Sequence, residues 1–227
     1  MNKPISIKAI IFDLDGTLMD TWHGFRAAME AGLPGAAFDM TAIRDVFSVG
    51  AVPMFTLAAG QAAVAREQQA SEAVRLNQLY LQEFLLHAEL YPGVQPLLER
   101  LHGAGLGLGI CTNRDRHSTL RLLEAFGLRD YFSSVVCIDD VPYAKPHPYP
   151  LMASLTNLDC SVGEALFVGD SSVDARCAAA LNMRFVAHRH GYENHPLALE
   201  PSVFRFDDHP ELLRWILRAD AEHCTAI

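Results

Sequence analysis

Asp13 and Asp15 stand two residues apart, directly after the apolar run Ile10-Ile11-Phe12 and just before Gly16-Thr17-Leu18. Residues i and i+2 of an extended chain point the same way, so both carboxylates can face one site. Two such anions repel unless a cation or a shared proton joins them. Mg²⁺ is a hard cation that takes oxygen ligands, so the chemistry this pair suggests is a metal–phosphate site. A strand followed by an acidic turn has the same residues, and Asp13 and Asp15 alone do not decide between the two.

Three further apolar runs end in polar groups. Residues 106–111 are followed by Thr112-Asn113-Arg114, where a hydroxyl and an amide can hydrogen-bond phosphate oxygens. Residues 134–138 are followed by Asp139-Asp140 and then by Tyr143-Ala144-Lys145-Pro146-His147-Pro148. Each proline restricts its predecessor as well as itself, so Lys145 is a point charge on a stiff loop, suited to a phosphoryl group. His147 is a possible proton-transfer group or simply a constrained loop residue between two prolines. Residues 165–168 are followed by Gly169-Asp170-Ser171-Ser172-Val173-Asp174. Asp170 matches Asp13 in its place on the strand and can complete a metal site, with Asp174 projecting back from the start of a helix. An acidic cap on a helix dipole is the alternative for that pair. Each signal is weak alone; four strand ends together carry the groups a phosphate site needs.

These residues need strands to hold them. Residues 5–13 read as a strand and residues 21–31 as a helix broken by Gly32 and Pro34. From there to about residue 90 the chain is rich in Ala, Gln, Glu and Leu, with helical periodicity and no convincing strand; residues 71–90 form its longest helical stretch. Beyond Tyr91-Pro92-Gly93 the pattern is regular. Helices are expected over residues 94–103, 116–126, 148–157, 172–181 and 210–218, and strands over residues 106–111, 134–138, 165–168, 184–187 and 203–206. Such alternation implies parallel βαβ units, with ligands beyond the carboxyl ends of the strands. The expected fold is a doubly wound, Rossmann-like parallel α/β sheet over residues 1–20 and 92–227, with an all-helical cap inserted at residues 21–91. Residues 219–227 read as a loosely ordered tail.

Acidic residues outnumber basic ones, 27 to 18, giving a net charge of −9. That argues against nucleic acid as a partner, which needs a basic face, and requires an anionic substrate to find positive charge locally. The five cysteines are scattered with no C-x-x-C pair, which suits a reducing compartment. No signal core and no apolar run of membrane-spanning length is found. A cytoplasmic protein acting on a small phosphorylated metabolite, as monomer or homodimer, is the expectation.

In order and spacing, Asp13-Leu14-Asp15-Gly16-Thr17, Thr112, Lys145 and Gly169-Asp170-Ser171-Ser172-Val173-Asp174 resemble the four motifs of the haloacid dehalogenase-like hydrolase superfamily. The helical insertion resembles the first cap type, as in phosphoglycolate phosphatase-like enzymes. The resemblance implies that Asp13 is a nucleophile forming an aspartyl-phosphate. It implies that Asp15 protonates the leaving oxygen and later activates water. Mg²⁺ would be held by Asp13, the backbone carbonyl of Asp15, and Asp170. Thr112, Asn113, Gly16 and Lys145 would bind substrate, Lys145 also screening the nucleophile, while Asp174 supports Lys145 and the metal waters.

Within that superfamily the dehalogenases lack the second aspartate, so Asp15-Gly16-Thr17 argues against their reaction. In β-phosphoglucomutase-like members a histidine is typical twelve residues past the nucleophile; here that position is Phe25, with His23 out of register. A phosphatase therefore ranks above a sugar phosphomutase. Asp15 to Asp20 has the Asp-Gly-Thr-Leu-x-Asp form shared by phosphoglycolate phosphatases and pyrophosphatase-like members, and does not separate them. A loop around Phe47-Ser48-Val49-Gly50-Ala51 is placed to reach the site, Gly50 allowing close backbone approach, and Arg44 is the nearest cap cation for a second anionic group. A non-catalytic phosphate-binding or regulatory protein is the reading from another class. A phospho-receiver domain shares the aspartates, hydroxyl and lysine but lacks the Asp-Gly-Thr and the cap; turnover of small phosphate esters separates it.

Overall fold

The computed structural model describes residues 7–224. Its main sheet has six parallel strands: β1 (Ala9–Phe12), β4 (Gly107–Cys111), β5 (Ser134–Val136), β6 (Ala165–Gly169), β7 (Arg184–His188) and β8 (Phe204–Phe206). Their order is β5-β4-β1-β6-β7-β8. A second, two-stranded antiparallel pair joins β2 (Met19–Asp20) to β3 (Glu89–Leu90). The helices among the described residues are α1 (Trp22–Gly32), α2 (Met40–Asp45), α3 (Ala51–Gln61), α4 (Gln69–Glu83), α5 (Val94–Gly103), α6 (Arg116–Ala125), α7 (Tyr149–Asn157), α8 (Ser172–Ala179) and α9 (His209–Cys224).

Strand β1 is apolar at every position because it is central and covered on both faces. Ile10 and Phe12 face one side, in a cluster with Leu97 and Leu101 of α5 and Leu212 and Ile216 of α9. Ala9 and Ile11 face the other, packed with Leu151 and Leu155 of α7 and Ala175 and Ala178 of α8. The chain leaves β1 toward β4 and β5, then returns to β6 on the opposite side. The carboxyl ends of β1, β4 and β6 thus meet where the strand order reverses, the place an open α/β sheet offers a ligand.

Several expected boundaries move, each for a tertiary reason. The first strand is Ala9–Phe12 rather than residues 5–13, and residues 5 and 6 lie outside the described residues. The long helix expected over residues 71–90 stops at Glu83; a 3₁₀ turn, Phe84–Leu86, follows, and the chain then extends because Glu89 and Leu90 pair with Asp20 and Met19. So the insertion contains a strand that its helical periodicity hides. Strand β5 ends at Val136 because Asp140 takes the Cys137 N–H at 2.9 Å and turns the chain. Asp139 accepts the Arg116 N–H at 2.9 Å and Asp140 pairs with the Arg116 side chain at 3.0 Å, so this acidic pair anchors the start of α6. Helix α9 runs to Cys224 rather than ending at residue 218, and residues 225–227 lie outside the described residues. No helix among the described residues is long and apolar enough to cross a membrane.

Two buried histidines support the loop after β1. The His188 Nδ1–H, at the end of β7, donates to the Gly16 carbonyl at 2.8 Å, and the His209 Nε2–H, at the start of α9, donates to the Thr17 carbonyl at 2.9 Å. Burial, helped by the neighbouring His188, pushes His209 down to about 4. An unfolded histidine titrates near ~6.5. The neutral ring therefore contributes stability that is complete above that value and is lost as the pH falls through about 4. The expected loss is roughly 3 kcal/mol. Urea unfolding between neutrality and acid should show a shallower pH slope in His209→Gln than in the wild type; identical slopes would contradict this account.

Candidate active site

The site is built from the ends of β1, β4 and β6 and the loop that carries Lys145. Asp13 is 6% exposed and takes its direction from two contacts: the Leu14 N–H donates to its Oδ1 at 2.7 Å, and Lys145 Nζ lies 2.9 Å from the same oxygen. Lys145 also pairs with Asp174 Oδ1 at 2.6 Å, and its side chain is 1% exposed. The second oxygen of Asp174 accepts from the N–H of Ser171 at 3.1 Å and from its hydroxyl at 2.5 Å. Ser171 in turn caps α8 through the Asp174 N–H at 3.2 Å, a reciprocal capping box. Asp174 is therefore both helix cap and lysine anchor.

Asp170 accepts from the Thr17 hydroxyl at 3.0 Å and from the Tyr192 N–H at 2.7 Å. The chain passes it tightly. Gly16 has φ +78°, and a Cβ there would sit 2.3 Å from Asp170 Oδ2. This requirement explains the glycine after Asp15 better than direct substrate contact does. Carboxylate oxygens of Asp13, Asp170 and Asp174 all lie within 4.8 Å of one another.

Asp15 faces a different partner. Its carboxylate receives Arg114 Nε at 3.0 Å and Nη2 at 2.7 Å, and the Thr21 hydroxyl at 2.6 Å. Thr112 is buried and its hydroxyl accepts the Arg114 N–H at 3.1 Å. The Asn113 side chain is committed to backbone: its Nδ2 donates to the carbonyls of Lys145 at 3.0 Å and Ser48 at 2.9 Å, and its Oδ1 accepts the Lys145 N–H at 3.0 Å. Asn113 thus fixes the lysine loop and ties it to the segment Phe47–Val49, whose following residue, Gly50, has φ +130°. Two residues weighed from sequence lie apart from the carboxylates: His147 is exposed and its Nδ1 accepts the Tyr149 N–H at 3.2 Å, while Arg44 stacks on Trp22 at 5.0 Å.

Thr17 stands in the first motif without a role of its own, and the sequence assigns none to Arg114, Thr21 or Tyr192. Arg114 had a signal, being the cation directly after Thr112-Asn113. Tyr192 had none. Its hydroxyl accepts the N–H groups of Thr21 at 2.7 Å and Trp22 at 3.1 Å and donates to Asp20 at 2.9 Å, joining the start of α1 to the Asp170 loop.

The electrostatics follow from burial. Asp13 is pushed up to about 7, first by loss of water and then by the Asp174 charge, with Lys145 opposing. Burial, followed by the charges of Asp174 and Asp13, holds Asp170 well above the usual carboxylate range. Burial works against the Lys145 charge, but Asp13 and Asp174 outweigh it and keep the amine well above its ordinary value. Three buried carboxylates and one ammonium leave negative charge uncompensated, and the donors are all hard oxygens. That set fits a divalent cation such as Mg²⁺. Asp13 and Asp170 would be its best-placed holders. Asp170 pairs with no cation among the described residues, and the Leu14 and Lys145 contacts of Asp13 both fall on its Oδ1. Asp174 is instead taken up by Lys145 on one oxygen and by Ser171 on the other. A cavity of about 240 Å³ opens above them, walled on one side by Phe25, Phe47 and Tyr80.

A reversing parallel α/β sheet with these four polar strand ends defines a class, and the chain belongs to it: residues 10–188 match the haloacid dehalogenase-like hydrolase family. Among curated relatives, the chain is 34% identical over 220 residues to a phosphoglycolate phosphatase of Rhodospirillum rubrum, covering 92% of this chain and 90% of that one. It is 33% identical over 221 residues to an N-acetylmuramic acid 6-phosphate phosphatase of Pseudomonas putida, covering 93% and 96%. Among solved structures it resembles a predicted phosphoglycolate phosphatase from Haemophilus somnus, with TM-score 0.84 and 28% identity over 92% of this chain and 97% of that one.

Proposed function

We propose that this hydrolase is a phosphatase that uses Mg²⁺ to hydrolyse a small, phosphoglycolate-like phosphate monoester through an aspartyl-phosphate. The observation that carries the reading is Asp13, oriented at the end of β1 between Lys145 and Asp170 and facing the cavity. Its carboxylate attacks phosphorus, and the ester oxygen leaves with a proton from Asp15. Asp15 then takes a proton from water, which attacks the acyl phosphate, releasing inorganic phosphate and restoring Asp13. Lys145 offsets charge on the nucleophile and the phosphoryl oxygens, Thr112 orients the phosphoryl group, and Asn113 keeps Lys145 in place. Asp13, Asp170 and the backbone carbonyl of Asp15 would hold Mg²⁺, which would supply further charge neutralisation.

Residues 21–91 serve in this reading as a cap domain over the core of residues 1–20 and 92–227. Its aromatic wall excludes water from the reacting centre. At the mutase position, Phe25 stacks on Tyr80 at 3.9 Å and is closed into that wall, which favours transfer to water over transfer to a sugar.

Phosphate release from 2-phosphoglycolate, pyrophosphate, sugar phosphates, nucleotides and an aryl phosphate, with and without Mg²⁺, tests the reading. Metal-dependent release concentrated on a monoester supports it; no release from folded protein rejects it in favour of a mutase or a binding protein. Two variants test the assignments. Asp170→Ala should raise the Mg²⁺ concentration for half activity steeply, at least about tenfold; an unchanged titration would rule it out as a ligand. Asp15→Asn should spare substrate binding and lower turnover by on the order of 10²–10⁴-fold, and a smaller loss would point to another proton donor.

A further inference from the structure

The first turn of α1 is completed by a side chain from far along the chain. Its N-cap residue, Thr21, makes no capping bond, because its hydroxyl donates to Asp15 at 2.6 Å instead. The first amides of a helix have no partners within it. Here the Tyr192 hydroxyl accepts those of Thr21 and Trp22, at 2.7 and 3.1 Å, and donates to Asp20 at 2.9 Å. Asp20 belongs to β2, which pairs with β3, and these two short strands carry the chain into and out of the helical segment. Tyr192 thus grips the place where that segment joins the core.

The same residue holds Asp170. Its backbone N–H donates to Asp170 Oδ2 at 2.7 Å, and Gly191 passes so close that a Cβ there would lie 2.2 Å from the Asp170 Cβ. Glu193 fixes the next step of the loop to the core by accepting the Ser172 N–H at 2.9 Å. Asn194 then reaches α2, donating to Asp45 Oδ1 at 2.8 Å. Between these ties the Tyr192 ring packs edge-on against Phe47, a residue of the cavity wall, with centroids 4.5 Å apart. Residues 191–194 therefore form a strap, tied at one end to the carboxylate that follows β6 and at the other to two helices of the inserted segment. The proposed chemistry uses Asp170 and leaves the ties to α1 and α2 without a role.

We propose that Tyr192 is a positioning residue that couples Asp170 to the helical segment, so that filling the cation site seats α1 and Phe47 against the cavity. This rests on the reading of Asp170 as a holder of Mg²⁺ and adds a link between the metal and the enclosure of substrate. Carboxylate oxygens of Asp13, Asp170 and Asp174 lie within 4.8 Å of one another, and like charges so close push apart. A divalent cation would reverse that repulsion and pin the Asp170 carboxylate. The Tyr192 N–H follows the carboxylate it is bonded to, and the tight passage of Gly191 leaves the strap no slack. The first amides of α1 and the Phe47 ring then move with Tyr192. Coupling between two sites is reciprocal, so whatever seats the helices also tightens the cation. Water is thereby excluded when the charges that need a dry site are in place.

A reporter for the test is built into the chain. Trp22 is buried, its ring lies 6.4 Å from that of Tyr192, and Trp215 is the other tryptophan. In Trp215→Phe protein, Trp22 emission should shift saturably with Mg²⁺, with the half-point that calorimetry gives for Mg²⁺ binding. Amide exchange over residues 40–45 should slow on the same addition by about fivefold or more. Tyr192→Phe keeps the ring and the N–H on Asp170 and removes only the hydroxyl. In the Trp215→Phe background it should still bind Mg²⁺ by calorimetry and lose the Trp22 shift. Asn194→Ala, whose side chain bonds to neither Asp170 nor Trp22, should keep the Trp22 shift and lose the slowing over residues 40–45. If Mg²⁺ binds and Trp22 stays silent, or if Tyr192→Phe responds in full, the coupling is overturned and the phosphatase reading stands. If calorimetry finds no Mg²⁺ binding to folded protein, the metal-dependent reading fails, and Asp170→Ala in metal-free buffer decides the coupling. Faster exchange over residues 40–45 together with a moved Trp22 emission in that variant upholds it, and values equal to those of its parent overturn it.

Discussion

Asp13→Asn is expected to leave a folded protein with phosphate release reduced by about 10⁴-fold or more, the scale of loss when a nucleophile is removed. Asparagine keeps the shape of the side chain and an oxygen for the Leu14 N–H, which donates at 2.7 Å. Lys145 keeps Asp174 as its partner at 2.6 Å, so its charge is not stranded. The wild-type carboxylate is itself disfavoured by burial, being pushed up to about 7, so replacing it with a neutral amide removes a repulsion from Asp174 as well as an attraction to Lys145. Urea midpoints should therefore stay close, within about 1 kcal/mol. The chemical signature is sharper than the rate: intact-mass measurement of wild type quenched in acid during turnover should reveal a phosphorylated fraction, and Asp13→Asn should show none. Undiminished activity, or a phosphorylated fraction that survives the substitution, would remove Asp13 from its assigned role.

The parts of this site that were legible in the sequence are those encoded locally. Ile10-Ile11-Phe12 stops at Asp13 because a strand buried on both faces must end where polar groups begin, and the same rule marked Thr112 and Asp170. Lys145 was visible because proline stiffens its loop. What was hidden depends on partners far away in the chain. Arg114 reaches Asp15 across 99 residues, and Tyr192 reaches Asp170 across 22, from a loop with no periodicity to flag it. Asn113 was expected to bind substrate, yet its amide is engaged with the Lys145 and Ser48 backbone, a role that only the approach of two loops reveals. The end of α4 failed in the opposite way. Phe84 and Leu85 continue an apolar helical pattern, but the pairing of Met19–Asp20 with Glu89–Leu90 overrides it. Asp139 and Asp140 carried the right residue types at a strand end and serve Arg116 instead.

Removing the central cation should have the largest combined effect. Lys145 lies 2.9 Å from Asp13 and 2.6 Å from Asp174, with side-chain exposures of 1%, 9% and 0% for the three groups. Desolvation makes such a triad a poor source of net stability compared with an apolar replacement of the whole set. Removing one member is another matter, because Asp13, Asp170 and Asp174 would then be buried within 4.8 Å of one another with no positive charge among them. Lys145→Met, which keeps the length of the side chain, is expected to lower unfolding free energy by roughly 3–5 kcal/mol in the presence of a chelator. Turnover should fall by on the order of 10³-fold, as the phosphoryl group loses its fixed protein charge. The double variant Lys145→Met, Asp174→Asn isolates the cause: with one buried carboxylate neutralised, most of the lost stability should return while activity stays low. If stability is unchanged in Lys145→Met, the carboxylates are satisfied by other means and the lysine is not the charge that holds them together. If stability falls but turnover does not, Lys145 belongs to the scaffold alone and the phosphoryl group must be neutralised elsewhere.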